Sequence, residues 1–484
     1  MTTLRNARLD DRIVDVRLEG GRIAAVSQAG SQGNGESIDL EGRWLLPGLW
    51  DHHVHLTQHA LTLRRVDLAG VASAAEAASI MAAALTAAPP EPGLPLVGGG
   101  FRDGLWPDAP SLELLDAAVG DTPTVLVSGD LHTTWLNSTA LAKYGFAGHP
   151  TGVLVEDDCF AVTAALQDVP EATLVQWLTD AASQAAARGV VGVVELEMAG
   201  NIDDWRRRFA DGFRGLRIDA GVYSPYLDAA IAAGNRTGDV LDSEGLLRVG
   251  PFKILTDGSL NTRTAYCVEA YPGTTERGLL TVPTEELLPL LRAAVEAGIA
   301  PAVHAIGDDA VRLVLDAFEL LGGSALPRGT RMEHAQLVLA ADFPRFAELG
   351  VAVSAQPEHA MDDRDVAEHY WPGRTDRAFA LRSLLDAGAE LMLGSDAPVS
   401  PLDPWVTLSA AVTRSRDGRE PWHPEQAISV SEAIAASTHT TVAVGEPADL
   451  VAVDLDPWTA SGDALRTMPV SLTLLAGNPT HSAL

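Results

Sequence analysis

The stretch "LLPGLWDHHVH", residues 45–55, joins an apolar run to three of the thirteen histidines of the chain. Compact apolar runs are typical of strands that are buried on both faces. His53 and His55 lie two positions apart, so their side chains would leave such a strand on the same side. The stretch therefore predicts a buried strand with two imidazoles at its carboxyl end.

Seven similar runs follow, and stretches with helical periodicity come after several of them. The runs are "GVVGVVELEM" (189–198), "GLRIDAGVYS" (215–224), "VGPFKILTD" (249–257), "IAPAVHAIG" (299–307), "TRMEHAQ" (330–336), "GVAVSAQP" (350–357) and "AELMLGSDAP" (389–398). The helical stretches include "TEELLPLLRAAVEAG" (284–298), "DDAVRLVLDAFELLGG" (308–323) and "RAFALRSLLDAGA" (377–389). Eight strands that alternate with helices predict an α/β fold, a (β/α)8 TIM-like barrel.

Both ends of the chain are strand-rich in a different way. Near the start, "IVDVRLEGGRIAAVSQ" alternates apolar and polar residues around a Gly-Gly pair, which is a hairpin signal, and "ADLVAVDLDP" near the other end also resembles a strand. We predict a small β unit from residues 1–46 and 440–484 around a barrel of residues 47–439. The segment after the first barrel strand is too long for a loop, so residues 57–185 are predicted to form an insertion near the barrel mouth that supplies part of the substrate pocket.

The composition excludes several classes of partner. Lys and Arg total 34 and Asp and Glu total 65, which gives a net charge of −31. A surface this acidic repels nucleic acid and anionic membranes, so we expect a small-molecule ligand instead. The two cysteines, Cys159 and Cys267, form no disulfide framework, the N-terminus lacks a signal-peptide core, and no apolar run is long enough to span a bilayer. These features predict a cytoplasmic protein.

Polar side chains occur where the predicted barrel strands end. They are His53, His55, Lys253, His304, His334 and Asp396. The carboxyl ends of the strands share one face of a barrel, so these side chains would converge on one cavity. Imidazoles and a carboxylate bind divalent cations such as Zn²⁺. A buried lysine is readily neutral, and its amine can take up carbon dioxide to give a carbamate that bridges two ions.

Each residue also has a structural alternative. A single histidine at a strand end is more often hydrogen-bonded filler than a ligand. Lys253 could extend its charge to solvent or form an ion pair, and Asp396 could cap the helix that follows it. The order of these residues on successive strand ends favours the metal site.

The motifs together resemble the amidohydrolase superfamily, and in particular amidohydrolase family three, the branch that includes N-substituted formamide deformylase. They include "LPGLWDHHVHL" (46–56), "FKILTDGSLNTRTA" (252–265), "VHAIGDDA" (303–310), "RMEHAQ" (331–336) and "LRSLLDAGAELMLGSDAPV" (381–399). The resemblance implies a metal-dependent hydrolase in which the β unit is a small sandwich. It also implies that the six strand-end residues are the metal ligands, with Asp396 catalytic and Lys253 carboxylated when two ions are bound.

We therefore expect hydrolysis of a non-peptide C–N bond by metal-activated hydroxide, with Asp396 as general base and then general acid. The candidate substrate-binding residues are His132, His359 and Arg263. A structural ion pair is equally consistent for Arg263. We expect Trp135 to be a packing residue, and Asp257 and Asp308 to hold loops or orient ligands.

Other functions stay open at this point. A lactonase or esterase would use the same hydroxide. A deaminase of this superfamily usually carries a glutamate three residues after the fifth-strand histidine, where this chain has Gly307. A catalytically inactive scaffold usually lacks ligands, whereas this chain has all six. A homodimer is an expectation from the resemblance alone.

Overall fold

The computed structural model describes residues 1–30, 35–129 and 133–484. The chain divides into two compact units, of which the first comprises Met1–Gln58 with Thr179–Leu484 and the second comprises His59–Leu178. Across the described residues, no helix combines the length and apolarity needed to cross a bilayer.

The strands within these residues are numbered in chain order. They are β1 (Thr2–Leu9), β2 (Arg12–Glu19), β3 (Arg22–Gln28), β4 (Glu36–Asp39), β5 (Trp44–Pro47), β6 (Leu49–Val54), β7 (Val66–Asp67), β8 (Leu96–Phe101), β9 (Thr124–Ser128), β10 (Thr133–Leu136), β11 (Val153–Val155), β12 (Val190–Glu195), β13 (Arg217–Tyr223), β14 (Leu247–Leu255), β15 (Pro301–Ala305), β16 (Arg331–His334), β17 (Ala352–Ala355), β18 (Leu391–Leu393), β19 (Leu450–Val453), β20 (Val470–Leu475) and β21 (Asn478–Ser482).

The α-helices are numbered in the same way. They are α1 (Leu56–Thr62), α2 (Ala74–Ala87), α3 (Leu112–Val119), α4 (Ser138–Lys143), α5 (Glu156–Ala165), α6 (Glu171–Ala186), α7 (Asn201–Ala210), α8 (Leu227–Ala232), α9 (Thr284–Ala297), α10 (Asp308–Leu320), α11 (Phe343–Leu349), α12 (Pro357–Tyr370), α13 (Leu381–Asp386), α14 (Pro404–Thr413), α15 (Val430–Ala435) and α16 (Gly462–Arg466).

Eight parallel strands form the barrel in the order β6-β12-β13-β14-β15-β16-β17-β18. The ring closes between its first and last strands: the backbone N–H of Asp396 donates to the carbonyl of His53 at 2.8 Å, and that of His55 donates to Ala397 at 2.9 Å. Each of the eight predicted runs overlaps one barrel strand, and only β14 begins before its run, at Leu247. The predicted α/β barrel fold is therefore confirmed.

The first run does not form one continuous strand. Residues 44–47 are β5 of a different sheet, and the barrel strand begins at Leu49. Gly48 separates them, and a Cβ there would lie 2.5 Å from a methyl carbon of Val191. The chain therefore changes sheets at a position that only glycine fits.

The chain ends share one sheet in the order β21-β20-β19-β5-β1-β2-β3, with β4 paired to β1. The predicted hairpin joins β2 to β3 through Gly20 (φ 58°) and Gly21 (φ 75°), a turn that needs positive φ at both positions. A buried ion pair links the residue directly before β19 of this sheet to barrel strand β13. Arg217 donates from Nε and Nη2 to Asp449 at 2.6 and 3.0 Å.

The second unit contains a five-stranded sheet in the order β11-β10-β9-β8-β7. Trp135 on β10 is fully buried, and its indole N–H donates to the carbonyl of Ser111 at 3.0 Å. These contacts match the packing role predicted for Trp135. The role predicted for residues 57–185 at the barrel mouth stays a prediction.

The helix expected over residues 377–389 is shorter than predicted, because only Leu381–Asp386 is helical. Phe379 before it has φ 49°. Its N–H donates to Gln336 at 2.6 Å, and its carbonyl accepts from Arg414 at 3.1 Å. These long-range hydrogen bonds hold the backbone of this segment outside the helical conformation.

We expect Asp449→Ala to lower the free energy of unfolding by about 3–5 kcal/mol, because it leaves the buried guanidinium of Arg217 without its carboxylate. Thermal melting would show this as a lower midpoint. The control is Glu244→Ala, which removes the exposed ion pair with Arg214 and should cost less than about 1 kcal/mol. Equal midpoints for the two variants would contradict the assigned role of Asp449.

Candidate metal centre

A cavity of about 450 Å³ opens at the carboxyl ends of the barrel strands. All six predicted ligands line it: His53, His55, Lys253, His304, His334 and Asp396. Five of them have at most 9% of their surface exposed, and His55 is intermediate in exposure. The barrel thus brings together side chains from five strand ends.

The most compact part of the site is formed by His53, His334 and Asp396. One ligand atom of each lies within 4.8 Å of the others. Asp396 Oδ1 is 3.4 Å from His53 Nε2 and 3.3 Å from His55 Nε2. The ring centroids of His304 and His334 are 4.5 Å apart. One carboxylate and four imidazoles therefore face the same small volume.

Burial sets the charge of three of these imidazoles, whereas at His55 the hydrogen bond and charge of Asp396 outweigh burial and raise the pKa. Burial lowers the pKa of His53 to about 4 and that of His304 to about 3, and it takes the pKa of His334 well below its ordinary value. Burial alone would raise the pKa of Asp396, but the surrounding imidazoles hold it well below its ordinary value. Neutral imidazoles and an ionised carboxylate are the forms that bind a metal ion.

Lys253 lies at the end of β14 and is only 2% exposed. Its Nζ has no hydrogen-bond partner among the residues that the structure describes. Burial lowers the pKa of this amine to about 8, although Glu333 and Asp396 oppose the shift. Burying an amine without a hydrogen-bond partner costs free energy. A reaction at the amine or a bound ligand would offset this cost, and such groups concentrate at functional sites.

Glu333 orients His53, a role that the sequence pattern around it does not indicate. Its Oε2 is 2.7 Å from His53 Nδ1, and its Oε1 accepts from Arg331 Nε at 2.6 Å. The carboxylate is fully buried. It holds the proton of His53 on Nδ1 and leaves Nε2 facing the site, which is how carboxylates commonly orient metal-binding histidines.

Two further buried carboxylates fix the strand ends. Asp51 accepts from the N–H groups of His53 (3.1 Å) and Ser395 (2.9 Å), and so joins the first barrel strand to the last. Glu195 accepts from the N–H groups of Leu56 (3.1 Å) and Glu197 (2.9 Å). Burial raises the pKa of both carboxyls to about 7. In the sequence, each of the two is a charged residue within an apolar run, and this pattern could have indicated a structural role.

The backbone is strained at two of the strand ends. His334, Ala335 and Asp396 have φ values of 71°, 44° and 58°, in the left-handed region that residues other than glycine seldom adopt. Such strain costs on the order of 1–3 kcal/mol per residue and concentrates at functional sites. Here it aims His334 and Asp396 into the cavity.

Asp257 and Asp308 hold loops, as predicted. Asp257 accepts from the N–H groups of Tyr266, Ile306 and Gly307 at 2.9–3.0 Å. Asp308 accepts from the N–H of Val268 at 2.8 Å and from both terminal nitrogens of Arg377 at 3.0 and 3.1 Å. These contacts fix the segments that follow the fourth and fifth barrel strands.

The three candidate substrate-binding residues differ in where they lie relative to the cavity. His359, on α12, lines the cavity and is 6% exposed. Arg263 is exposed, lies outside the residues that line the cavity, and stacks over Tyr370 at 5.9 Å from the ring centroid. His132 lies outside the described residues. The structure thus gives a position in the cavity to His359 alone among the candidates that it describes.

Comparisons with known proteins extend over most of the chain. A family model described as "Amidohydrolase family" matches residues 36–481. The chain is 26% identical to N-substituted formamide deformylase of Arthrobacter pascens, over 96% of this chain and 94% of the deformylase. It is 29% identical to the protein LONG AFTER FAR-RED 3 of Arabidopsis thaliana, over 91% of this chain and 84% of the plant protein. A crystal structure of an uncharacterized metal-dependent hydrolase from Pyrococcus furiosus aligns with a TM-score of 0.79 at 25% identity, covering 95% of this chain and 100% of that one.

We expect Glu333→Gln to weaken binding of a divalent metal about 10- to 100-fold, because the neutral amide polarises and orients His53 less well. Competition with a chromophoric chelator would measure the affinity. Glu348→Gln, on the exposed side of α11, is the matched control and should bind metal like the unaltered protein. Unchanged affinity in Glu333→Gln would remove the orienting role.

Proposed function

The chain belongs to the amidohydrolase family and is a hydrolase, and from this premise we propose that it cleaves a non-peptide C–N bond in a small amide, formamide or cyclic amide. The observation that carries the proposal is the convergence of His53, His334 and Asp396, whose ligand atoms lie within 4.8 Å of one another. The similarity to a formamide deformylase across nearly the whole chain supports the same bond type.

The residues fit a divalent cation. The set suits a borderline-soft ion such as Zn²⁺. It contains neutral buried imidazoles, an ionised carboxylate and a lysine amine that has no hydrogen-bond partner among the described residues. The residues that would hold one or two ions are His53, His55, Lys253, His304, His334 and Asp396. When bound, such an ion lowers the pKa of water and polarises a carbonyl oxygen.

Lys253 would contribute as a carbamate if two ions bind. The neutral amine attacks the carbon of carbon dioxide and loses a proton, which leaves an anion with two oxygens. Because burial lowers the pKa of Lys253 to about 8, a useful fraction of the amine is neutral near pH 7. The carbamate would also remove the cost of an unpartnered buried amine.

Asp396 would move the proton. Its carboxylate lies between His53 and His55 and lines the cavity, and its lowered pKa keeps it ionised at neutral pH. It would accept a proton from the attacking water and then deliver it to the leaving nitrogen. This second transfer matters because an amine leaves far more easily than its anion.

Deamination is supported less well. The glutamate that zinc deaminases carry after the fifth-strand histidine is replaced here by Gly307. A Cβ on Gly307 would lie 2.2 Å from the carbonyl oxygen of Tyr266. The backbone around this position therefore leaves no space for a glutamate side chain.

We expect Asp396→Asn to lower kcat by about 10²–10⁴-fold, because the amide cannot accept the proton of the attacking water. A panel of N-formyl, N-acyl and cyclic amides, assayed after zinc loading, would measure turnover. Metal content by atomic emission should fall much less than activity. Turnover by the Asn variant at the unaltered rate would refute the assignment.

We expect Lys253→Ala to lose metal and activity together, and short carboxylates such as acetate to restore part of both, because a carboxylate can occupy the place of the carbamate. Titration with acetate and with methylamine would separate two roles. Rescue by methylamine and not by acetate would show that Lys253 acts as an amine, against the carbamate.

A further inference from the structure

One wall of the cavity is a face of helix α12. His359, Asp362 and Asp363 all line the cavity and lie three and four residues apart, so they share one side of the helix. The ring of His359 stacks at 6.2 Å from that of His334. Asp363 lies about one helical turn after His359, about 6 Å along the helix axis.

The two aspartates differ in their partners. Asp362 Oδ1 forms an ion pair with Arg416 at 2.6 Å, so its charge is compensated. Asp363 is half-buried and accepts a hydrogen bond from Asn261 Nδ2 at 2.6 Å. No lysine or arginine of the described chain lies within ion-pair distance of Asp363. Burial raises the pKa of Asp363 against the opposing effects of Asn261 and the nearby His359, and the charge of Asp362 adds to the rise.

Buried polar atoms in the same cavity also lack partners. Nε2 of His359 (6% exposed) and Oε1 of Gln336 (4% exposed) have no hydrogen-bond partner in the described part of the chain. Because buried polar atoms are normally paired, these atoms indicate that a polar ligand completes the site. The Gln336 oxygen and the Asp363 carboxylate are both acceptors, so the matching ligand is a donor.

Among the described residues, the cavity offers little positive charge to bind an anion. Among its described lining residues, the basic side chain other than the histidines is Lys253, which belongs to the metal centre. The net charge of −31 also draws cations towards the protein. Beyond the metal centre, an anionic substituent would therefore face the carboxylate of Asp363 and no basic side chain of the described lining.

We propose that the substrate is an acylated amine with a second, protonated amino group, and that Asp363 binds this ammonium group while the amide lies at the metal centre. This inference rests on the proposed amide hydrolysis. It makes Asp363 a specificity-determining residue that takes no part in the chemical step.

Two amides of equal length test the proposal in the zinc-loaded enzyme: N-formyl-1,6-hexanediamine and N-formylheptylamine, in which a methyl group replaces the ammonium. We expect kcat/KM to favour the cationic amide about tenfold or more, since an ammonium–carboxylate contact is a charge-assisted hydrogen bond. Asp363→Asn should raise KM for the cationic amide about tenfold, leave kcat similar, and leave the neutral amide unaffected.

The matched control is Asp365→Asn on the same helix. Asp365 is paired with Arg419 and does not line the cavity, so this variant should keep the preference of the unaltered enzyme. Equal kcat/KM for the two amides in the unaltered enzyme, or an unchanged preference in Asp363→Asn, would overturn the inference and leave amide hydrolysis standing.

Failure of the proposed function gives a different result, because then neither amide is hydrolysed. In that case calorimetric titration of the same two amides into the unaltered protein and into Asp363→Asn decides the present inference. A preference for the cationic amide that the substitution abolishes supports the ammonium site. Equal binding of the two amides rejects it.

Discussion

The closure of the barrel between its first and last strands is the constraint on which the site depends. The carboxylate of Asp51 accepts hydrogen bonds from the N–H groups of His53 and Ser395, and the N–H of Asp396 donates to the carbonyl of His53. These few hydrogen bonds bring together residues that are more than three hundred positions apart. Without this closure, the carboxylate of Asp396 would have no fixed position between His53 and His55.

Burial makes the site chemically useful and also costly. It keeps the imidazoles of His53 and His304 neutral and brings the pKa of Lys253 down to about 8. The same desolvation would penalise Glu333 if Arg331 did not compensate its charge. Lys253 has no hydrogen-bond partner within the described residues, although Glu333 and Asp396 favour its charged form. Glu333, which orients His53, is therefore held in an ion pair. Lys253, which would react, has no hydrogen bond to any described residue.

The sequence predicted the barrel and the convergence of the six strand-end residues, because parallel strands buried on both faces are continuous apolar runs whose polar ends share one face. It did not predict the role of Glu333, since its pairing with His53 depends on how two distant strands face each other. Local patterns also failed where tertiary contacts override them. Gly48 divides the first run between two sheets, and the hydrogen bonds of Phe379 shorten α13.

The structure separates the groups that would bind metal from those that would select the substrate. The former lie at the ends of strands that are covered on both faces, where a change of side chain disturbs strand packing. His359 and Asp363 instead lie on α12, one face of which borders the cavity. A substitution at Asp363 alters the charge of the cavity wall with little effect on the barrel, since Asp363 is half-buried and its hydrogen bond within the described chain is to the amide of Asn261. Substrate preference can therefore differ between proteins of this fold while the strand-end geometry stays the same.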